Sequence, residues 1–301
     1  MTSKPYPTRQ LGRNGPTASA IGLGTMGVYI RSALSTKFLM WGISNTGIGA
    51  FYGKTDKEEA SKTLTYAADR GITFWDCADM YGDGKCIITF PLSLPELPVL
   101  TFFFPFTAEA VLGKWFTQTG RRSEIFLATK FGSRVIGSDP PRPSSAPSYI
   151  RKAVARSLDQ LKVSHIDLYY QHRVDPNVPI EIVMQTLGEL VDEGKIKYIG
   201  LSECTADTLR RAKAVKGAGD KLIAVQMEFG PMSLDIEHGD FMKAVEETGV
   251  AVVAYSPLSR GLASGRYAIP FVCNKQPCTP NQIQISHRFR RRGCSTFLPP
   301  V

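Results

Sequence analysis

The sequence predicts an α/β protein whose sheet is a (β/α)8 barrel with an N-terminal β-hairpin. From residue 55 onward, short apolar strand patterns alternate with helical patterns. This alternation implies right-handed crossovers between parallel strands. Seven such strands can be counted, whereas eight close a barrel. The barrel is therefore predicted to be incomplete, with no recognisable eighth strand.

The elements can be placed in order along the chain. A turn signal at Asn14-Gly15 predicts the hairpin, and GLGTM (22–26) is the first predicted barrel strand. Two glutamates in its first turn begin the first helix, which ends before Gly71. The later strands are predicted at ITFWD (72–76), EIFLATK (124–130), HIDLYYQH (165–172), IKYIGLSE (196–203), LIAVQMEF (222–229) and VAVVAYSP (250–257). The later helices are predicted at 108–119, 148–161, 180–194, 205–215 and 239–249.

Three segments break the pattern, so the predicted barrel domain of residues 1–267 is interrupted. Insertions at 28–48 and 85–106 stand where short loops are expected, and the tail 268–301 has neither helix nor strand periodicity. One hypothesis is that all three are translated intron or frame-shifted sequence, since TFFFPF would be encoded by a pyrimidine-rich tract. The alternative is a genuine isoform whose inserted loops lie over the mouth of the barrel.

The composition suits one large barrel or two smaller globular domains, at 301 residues and 43% hydrophobic. The polar, proline-containing segment 1–10 predicts a cytosolic protein, and the four prolines of 85–106 argue against a membrane span. Only Cys77 and Cys204 lie in regular segments, so neither a disulfide framework nor a metal site is expected.

The excess of 36 Lys+Arg over 27 Asp+Glu would ordinarily suggest an anionic partner such as a nucleotide or nucleic acid. Five of the positive charges lie in 268–301, which contains no acid. The run RFRRR (288–292) leaves nucleic-acid binding as an alternative, but a solvated tail is the favoured interpretation. We expect a small-molecule partner, no nucleic acid and no membrane, and the sequence predicts no oligomeric state.

Polar residues end three consecutive predicted strands. Asp76 and Tyr81 follow the second strand, Lys130 ends the third, and His172 ends the fourth. Because the carboxyl ends of parallel barrel strands open on one face, these four side chains can converge. The set suits protonation of a carbonyl oxygen as hydride reaches its carbon: Tyr81 would donate the proton. Lys130, held by Asp76, would favour the ionised phenol, and His172 would orient the oxygen or share the proton donation.

Hydride needs a carrier, and no G-x-G-x-x-G motif follows a strand. Candidate carrier contacts lie at later strand ends instead. A ring at Tyr255 could stack on a nicotinamide, while Ser202 and Gln226 could bind its carboxamide. Ser256-Pro257 could equally be an ordinary turn.

The motifs GLGTMG and FWDCADMYG, with these strand ends, resemble the aldo-keto reductase superfamily, most closely its fungal and plant NADP-dependent branch. The resemblance runs from about Gln10 to Tyr267 apart from the insertions. It implies a TIM barrel that binds NADP(H) without a Rossmann domain and reduces aldehydes and ketones to alcohols. It assigns catalysis to Asp76, Tyr81, Lys130 and His172, and cofactor binding to Ser202, Glu203, Gln226, Tyr255, Ser256, Leu258, Arg260 and Gly261.

The resemblance stops after Tyr267, where the family carries the residues that hold the 2′-phosphate and the adenine. The chain is therefore expected to bind NADPH weakly or to lack a complete barrel. Glu203 stands where many members have Asn. The alternatives to an active reductase are a non-catalytic NADP(H)-binding regulatory or sensor barrel, and an inactive truncated product.

Overall fold

The computed structural model describes residues 6–26, 57–81, 87–89, 101–103, 107–133 and 143–259. The N-terminal hairpin pairs β1 (Thr8–Gln10) with β2 (Thr17–Ser19) in antiparallel register, as predicted. Insertion 28–48, the tail 268–301, Arg260 and Gly261 lie outside the described residues.

One parallel sheet contains all seven predicted barrel strands, and its spatial order follows the chain. The strands are β3 (Gly22–Gly24), β4 (Phe74–Asp76), β7 (Phe126–Phe131), β8 (Ile166–Gln171), β9 (Ile196–Ser202), β10 (Leu222–Glu228) and β11 (Ala251–Tyr255). Between β4 and β7 a separate antiparallel pair comprises β5 (Ile87–Thr89) and β6 (Thr101–Phe103), which the sequence analysis did not predict.

The helices connect successive strands, and the predicted ones are confirmed to within a few residues. They are α1 (Lys57–Asp69), α2 (Ala108–Thr119), α3 (Pro147–Leu161), α4 (Ile180–Asp192), α5 (Ala206–Ala214), α6 (Ala218–Lys221) and α7 (Phe241–Thr248). Local signals set their ends: the Thr107 hydroxyl accepts from the Ala110 N–H at 3.1 Å to begin α2, and Gly120 ends it with φ of +68°. The four-residue α6 was not predicted.

The hairpin shows that the sheet is curled into a barrel-like form. It contacts β4 through the Ser19 hydroxyl, which accepts from the Phe74 N–H at 3.0 Å. It also contacts the segment before β11, where the Arg13 N–H donates to the Gly249 carbonyl at 2.7 Å. These two strands lie far apart in the sheet order. A hairpin of this size touches both only because the sheet curves around it, so the hairpin covers the amino-terminal opening.

Alternation along each strand divides the core into an inner and an outer layer. Inside the curve, the hairpin's Leu11 meets residues from four of the strands, among them Phe74, Ala128, Leu168 and Ala224. The opposite faces of the strands pack against the helices in a larger apolar cluster. Within the described residues β3 and β11 are the sheet edges, and the predicted fold class is confirmed as an α/β barrel-like sheet that lacks closure there.

A glycine in the inner layer makes room for an aromatic ring. A methyl group at Gly200 would lie 2.3 Å from the Tyr170 ring, which is fully buried. We expect Gly200→Ala to lower the free energy of unfolding by about 1–3 kcal/mol through overpacking, measured by urea unfolding. Gly24→Ala is the control, because a methyl group there meets no atom of the described residues within 4 Å. Equal effects at both sites would contradict this packing.

Candidate active site

The buried ammonium group of Lys130 is the centre of the candidate site. The side chain points from β7 into the barrel and is 0% exposed. Its Nζ donates to the Asp76 carboxylate, to the Cys77 carbonyl at 2.8 Å and to the Tyr81 hydroxyl at 3.2 Å. An ammonium group has three hydrogens, so these partners use all of them.

Asp76 keeps the lysine charged. Burial is the largest single influence and would lower the pKa of Lys130, but the Asp76 carboxylate and Tyr81 together outweigh burial, so the pKa is raised. The other oxygen of Asp76 accepts from the Gln226 amide at 2.9 Å. This contact joins β4 to β10 across the barrel mouth and fixes the carboxylate on both sides.

Tyr81 lies on the turn that follows β4. Because Lys130 donates to the Tyr81 oxygen, the phenol's own hydrogen is available for another acceptor. Burial raises the pKa of Tyr81, while the nearby Lys130 lowers it by less. The prediction that Lys130 would favour the ionised phenol is wrong in its net effect: desolvation of the phenolate is the larger effect, so the phenol stays protonated.

His172 stands directly after β8 and beside Tyr81. The two rings meet edge to face with centroids 5.9 Å apart. Burial holds the pKa of His172 well below its ordinary value, and the Lys130 and Arg173 cations lower it further. The imidazole is therefore neutral at neutral pH. Its buried Nδ1 has no hydrogen-bond partner in the described part of the chain.

The structure thus brings the four predicted catalytic residues together at the carboxyl ends of three adjacent strands. The arrangement supplies a protonated phenol, a cation that stabilises the phenolate left after proton donation, and a neutral imidazole at the phenol's edge. It can protonate an oxygen placed between Tyr81 and His172.

The predicted cofactor contacts occupy the neighbouring strand ends. Ser202 and Gln226 are opposite each other in the β9–β10 register, and both are almost fully buried. Tyr255 ends β11 and is half-buried. A hydroxyl, a carboxamide and an aromatic ring on one wall fit the polar amide and flat ring of a nicotinamide.

Glu203 and Ser256 have positive φ angles of 52° and 55°, directly after β9 and β11. Such strained backbone is retained where surrounding contacts enforce it, often at binding sites. The Glu203 carboxylate accepts from the Glu228 N–H at 3.0 Å and from the Tyr255 hydroxyl. Glu203 therefore links three strand ends, a role that the sequence did not reveal. Leu258 is 60% exposed.

Arg173 is a further residue that the sequence analysis missed. Its Nη1 donates to the His172 carbonyl at 2.7 Å and reaches the Ser202 hydroxyl at 3.4 Å. It thus connects the predicted catalytic histidine to the predicted cofactor wall. In the sequence, an arginine that directly follows a strand-end histidine was the feature that could have indicated this role.

A model of the aldo/keto reductase family matches residues 39–287. The chain belongs to the aldo/keto reductase family. It is 40% identical over 269 residues to aldo-keto reductase str7 of Strobilurus tenacellus. It is also 40% identical over 267 residues to aldo-keto reductase yakc of Schizosaccharomyces pombe, whose name specifies NADP(+). A probable aldo-keto reductase 1 of Glycine max is 34% identical over 266 residues.

These matches cover 88% of this chain but only 63–65% of the relatives' own lengths, so the chain spans slightly less than two thirds of them. The holo form of an aldo-keto reductase from Bacillus halodurans has the same fold, with a TM-score of 0.63 over 93% of this chain and 72% of that one. At 23% identity that likeness concerns the fold alone.

No helix among the described residues is long and apolar enough to cross a membrane. In the same residues no group of three or more His, Cys, Asp or Glu side chains could hold a metal ion.

The neutral state of His172 predicts a pH dependence of stability. The unfolded chain takes a proton on this residue below about pH 6.5, whereas the folded chain does not. Folding stability is therefore lost as pH falls through that value. From pH 7.5 to 5.5 the wild type should lose about 1.4 kcal/mol more than His172→Gln, measured by urea unfolding. If the unfolding free energies of the wild type and His172→Gln changed in parallel with pH, His172 would titrate normally.

Proposed function

We propose that this protein is an NADP(H)-dependent oxidoreductase that reduces aldehydes or ketones to alcohols, with Tyr81 as general acid. The hydrogen bond from Lys130 to the Tyr81 oxygen carries the proposal, because it leaves the phenolic proton free for a substrate. The raised pKa of Tyr81 supports the same role, since the donor is protonated before the reaction.

Each residue then has a defined task. Tyr81 donates its proton to the carbonyl oxygen, and Lys130 stabilises the phenolate that remains. Asp76 keeps Lys130 charged and in place. His172, neutral and beside the phenol, orients the oxygen.

We assign the nicotinamide to the wall formed by Ser202, Gln226 and Tyr255, whose groups fit its amide and ring. The cofactor, when bound, supplies the hydride. Glu203, Ser256 and Leu258 follow the strand ends on this side, and Arg260 and Gly261 are assigned to the pyrophosphate side from the resemblance alone. We further propose that residues 1–267 form the domain and that 28–48, 85–106 and 268–301 interrupt or extend it.

Tyr81→Phe tests the proton donor. Turnover of a simple aldehyde with NADPH should fall by about 10²- to 10⁴-fold, since general acid catalysis contributes this much. NADPH affinity, followed by fluorescence, should not change. The control is Tyr169→Phe, because Tyr169 is a fully buried phenol that stacks on Phe131 at 5.0 Å instead of facing Lys130. Retained turnover in Tyr81→Phe would show that the proton donor is misassigned.

NADPH titration of the 301-residue chain separates the reductase from its alternatives. We expect weak binding with measurable aldehyde turnover. Binding without turnover would favour a regulatory or sensor barrel, and neither binding nor turnover would indicate an inactive product. Tight binding would contradict the expectation drawn from the missing family residues after Tyr267.

A further inference from the structure

The turn that carries Tyr81 is fastened from behind by a buried acid. Asp79 lies two residues before Tyr81, and its side chain is 2% exposed. Its backbone N–H donates to the Lys130 carbonyl at 3.0 Å. Asp79 is therefore hydrogen-bonded directly to Lys130, which holds the phenol, and its backbone is two peptide bonds from that of Tyr81.

Helix α3 supplies the partner of this acid. Arg156 Nη2 donates to Asp79 Oδ2 at 2.9 Å, and the arginine side chain is 33% exposed. Tyr149, two turns earlier on α3, hydrogen-bonds to Arg156. The carboxylate end of the ion pair is dry, so without Arg156 the neutral, protonated form of the Asp79 carboxyl group would be favoured. The charged hydrogen bond that ties the turn to α3 therefore depends on Arg156.

A second buried acid, Glu109 of α2, shares this region. It is 0% exposed, and its Oε1 accepts from the Thr129 hydroxyl at 2.7 Å. Thr129 directly precedes Lys130 in β7. The other oxygen, Oε2, is buried and has no hydrogen-bond partner among the described residues. The helix side of the active-site strands thus contains two carboxyl groups next to the single guanidinium of Arg156.

Glu109 affects the protonation of Asp79. Burial, followed by the Glu109 charge, raises the pKa of Asp79 to about 7 although Arg156 lowers it. Burial also raises the pKa of Glu109. The groups that face Asp79 are Glu109 from α2, Arg156 and Tyr149 from α3, and Tyr169 from β8. As pH falls through about 7, Asp79 takes up a proton and the charge in its ion pair with Arg156 is lost.

We propose that Asp79 is a positioning residue: its ion pair with Arg156 holds the turn after β4 so that the Tyr81 hydroxyl stays at hydrogen-bond distance from Lys130. The inference rests on the proposed role of Tyr81 as proton donor. Asp79 touches neither Lys130's ammonium group nor the mouth of the barrel, so it acts only through the backbone of this turn.

Asp79→Asn tests the inference, because the amide has the same shape without the charge. The matched control is Asp167→Asn. Asp167 is also buried and ion-paired to an arginine, with Arg122 Nη2 at 2.7 Å, but it bonds to the Leu127 N–H at the other end of β7.

The main readout does not depend on turnover. In the full-length chain labelled with [13C-ζ]tyrosine, the Tyr81 resonance is identified by its loss in Tyr81→Phe. In the wild type this resonance should shift as pH crosses about 7. In Asp79→Asn it should be displaced and lose this pH response, whereas Asp167→Asn should match the wild type. An unchanged resonance with an unchanged pH response would overturn the proposal.

Kinetics give the second readout. Asp79→Asn should lower kcat by about 10- to 100-fold, the effect of a small misplacement of a catalytic group, with the KM for NADPH unchanged. Arg156→Gln should reproduce both the displaced Tyr81 resonance and the fall in kcat. The kcat of the double variant should be no lower than that of either single variant. If Asp79→Asn does not fold, Arg156→Gln carries the test, since its side chain reaches the surface.

The two proposals fail differently. If Tyr81→Phe retains turnover, the proton donor is wrong, yet the Tyr81 resonance still reports whether Asp79 positions it. If Tyr81→Phe is inactive while Asp79→Asn and Arg156→Gln keep the wild-type kcat and resonance, Asp79 has no positioning role.

Discussion

The site depends on one fully buried ammonium group. Lys130 would be neutral in an apolar interior, because burial without compensation costs a charge several kcal/mol. The Asp76 carboxylate, the Cys77 carbonyl and the Tyr81 hydroxyl replace its water. Each acceptor comes from the strand or turn beside β7, so the charge of Lys130 also fixes the position of Tyr81, the proposed proton donor. Loss of the charge would release the turn and the phenol together.

Parallel strand order makes this arrangement possible. Successive strands end at the same face, and their inward residues alternate, so Asp76, Lys130 and Gln226 share one layer although they are distant in sequence. The hydrogen bond between Asp76 and Gln226 crosses the mouth from β4 to β10 and joins the proposed catalytic group to the proposed cofactor wall. A displacement of Gln226 in that wall would therefore be transmitted to Lys130 through the Asp76 carboxylate.

The two faces of β7 perform different tasks. The inward Lys130 donates hydrogen bonds at the mouth of the barrel. The outward Thr129 hydroxyl donates to Glu109, which lies among the helices. Asp79 and Glu109 place acid on the outer side of the sheet, where burial raises the pKa of each. The Arg156 guanidinium offsets part of the free-energy cost of burying these carboxylates. A layer that looks like ordinary helix–sheet packing thus contains charges, and their contacts lead to the backbone of the active site.

The sequence by itself determined the strand and helix order, the hairpin and the residues at the strand ends, because periodicity and turn chemistry are local properties. It placed Asp76, Tyr81, Lys130 and His172 on one face through the rule that parallel strands open together. It did not reveal that β5 pairs with β6, that burial outweighs Lys130 in setting the pKa of Tyr81, or that Glu203 links three strand ends. Asp79 and Glu109 were assigned no role from the sequence. Only the tertiary structure decided their roles, because desolvation and charge coupling depend on what surrounds a side chain in space.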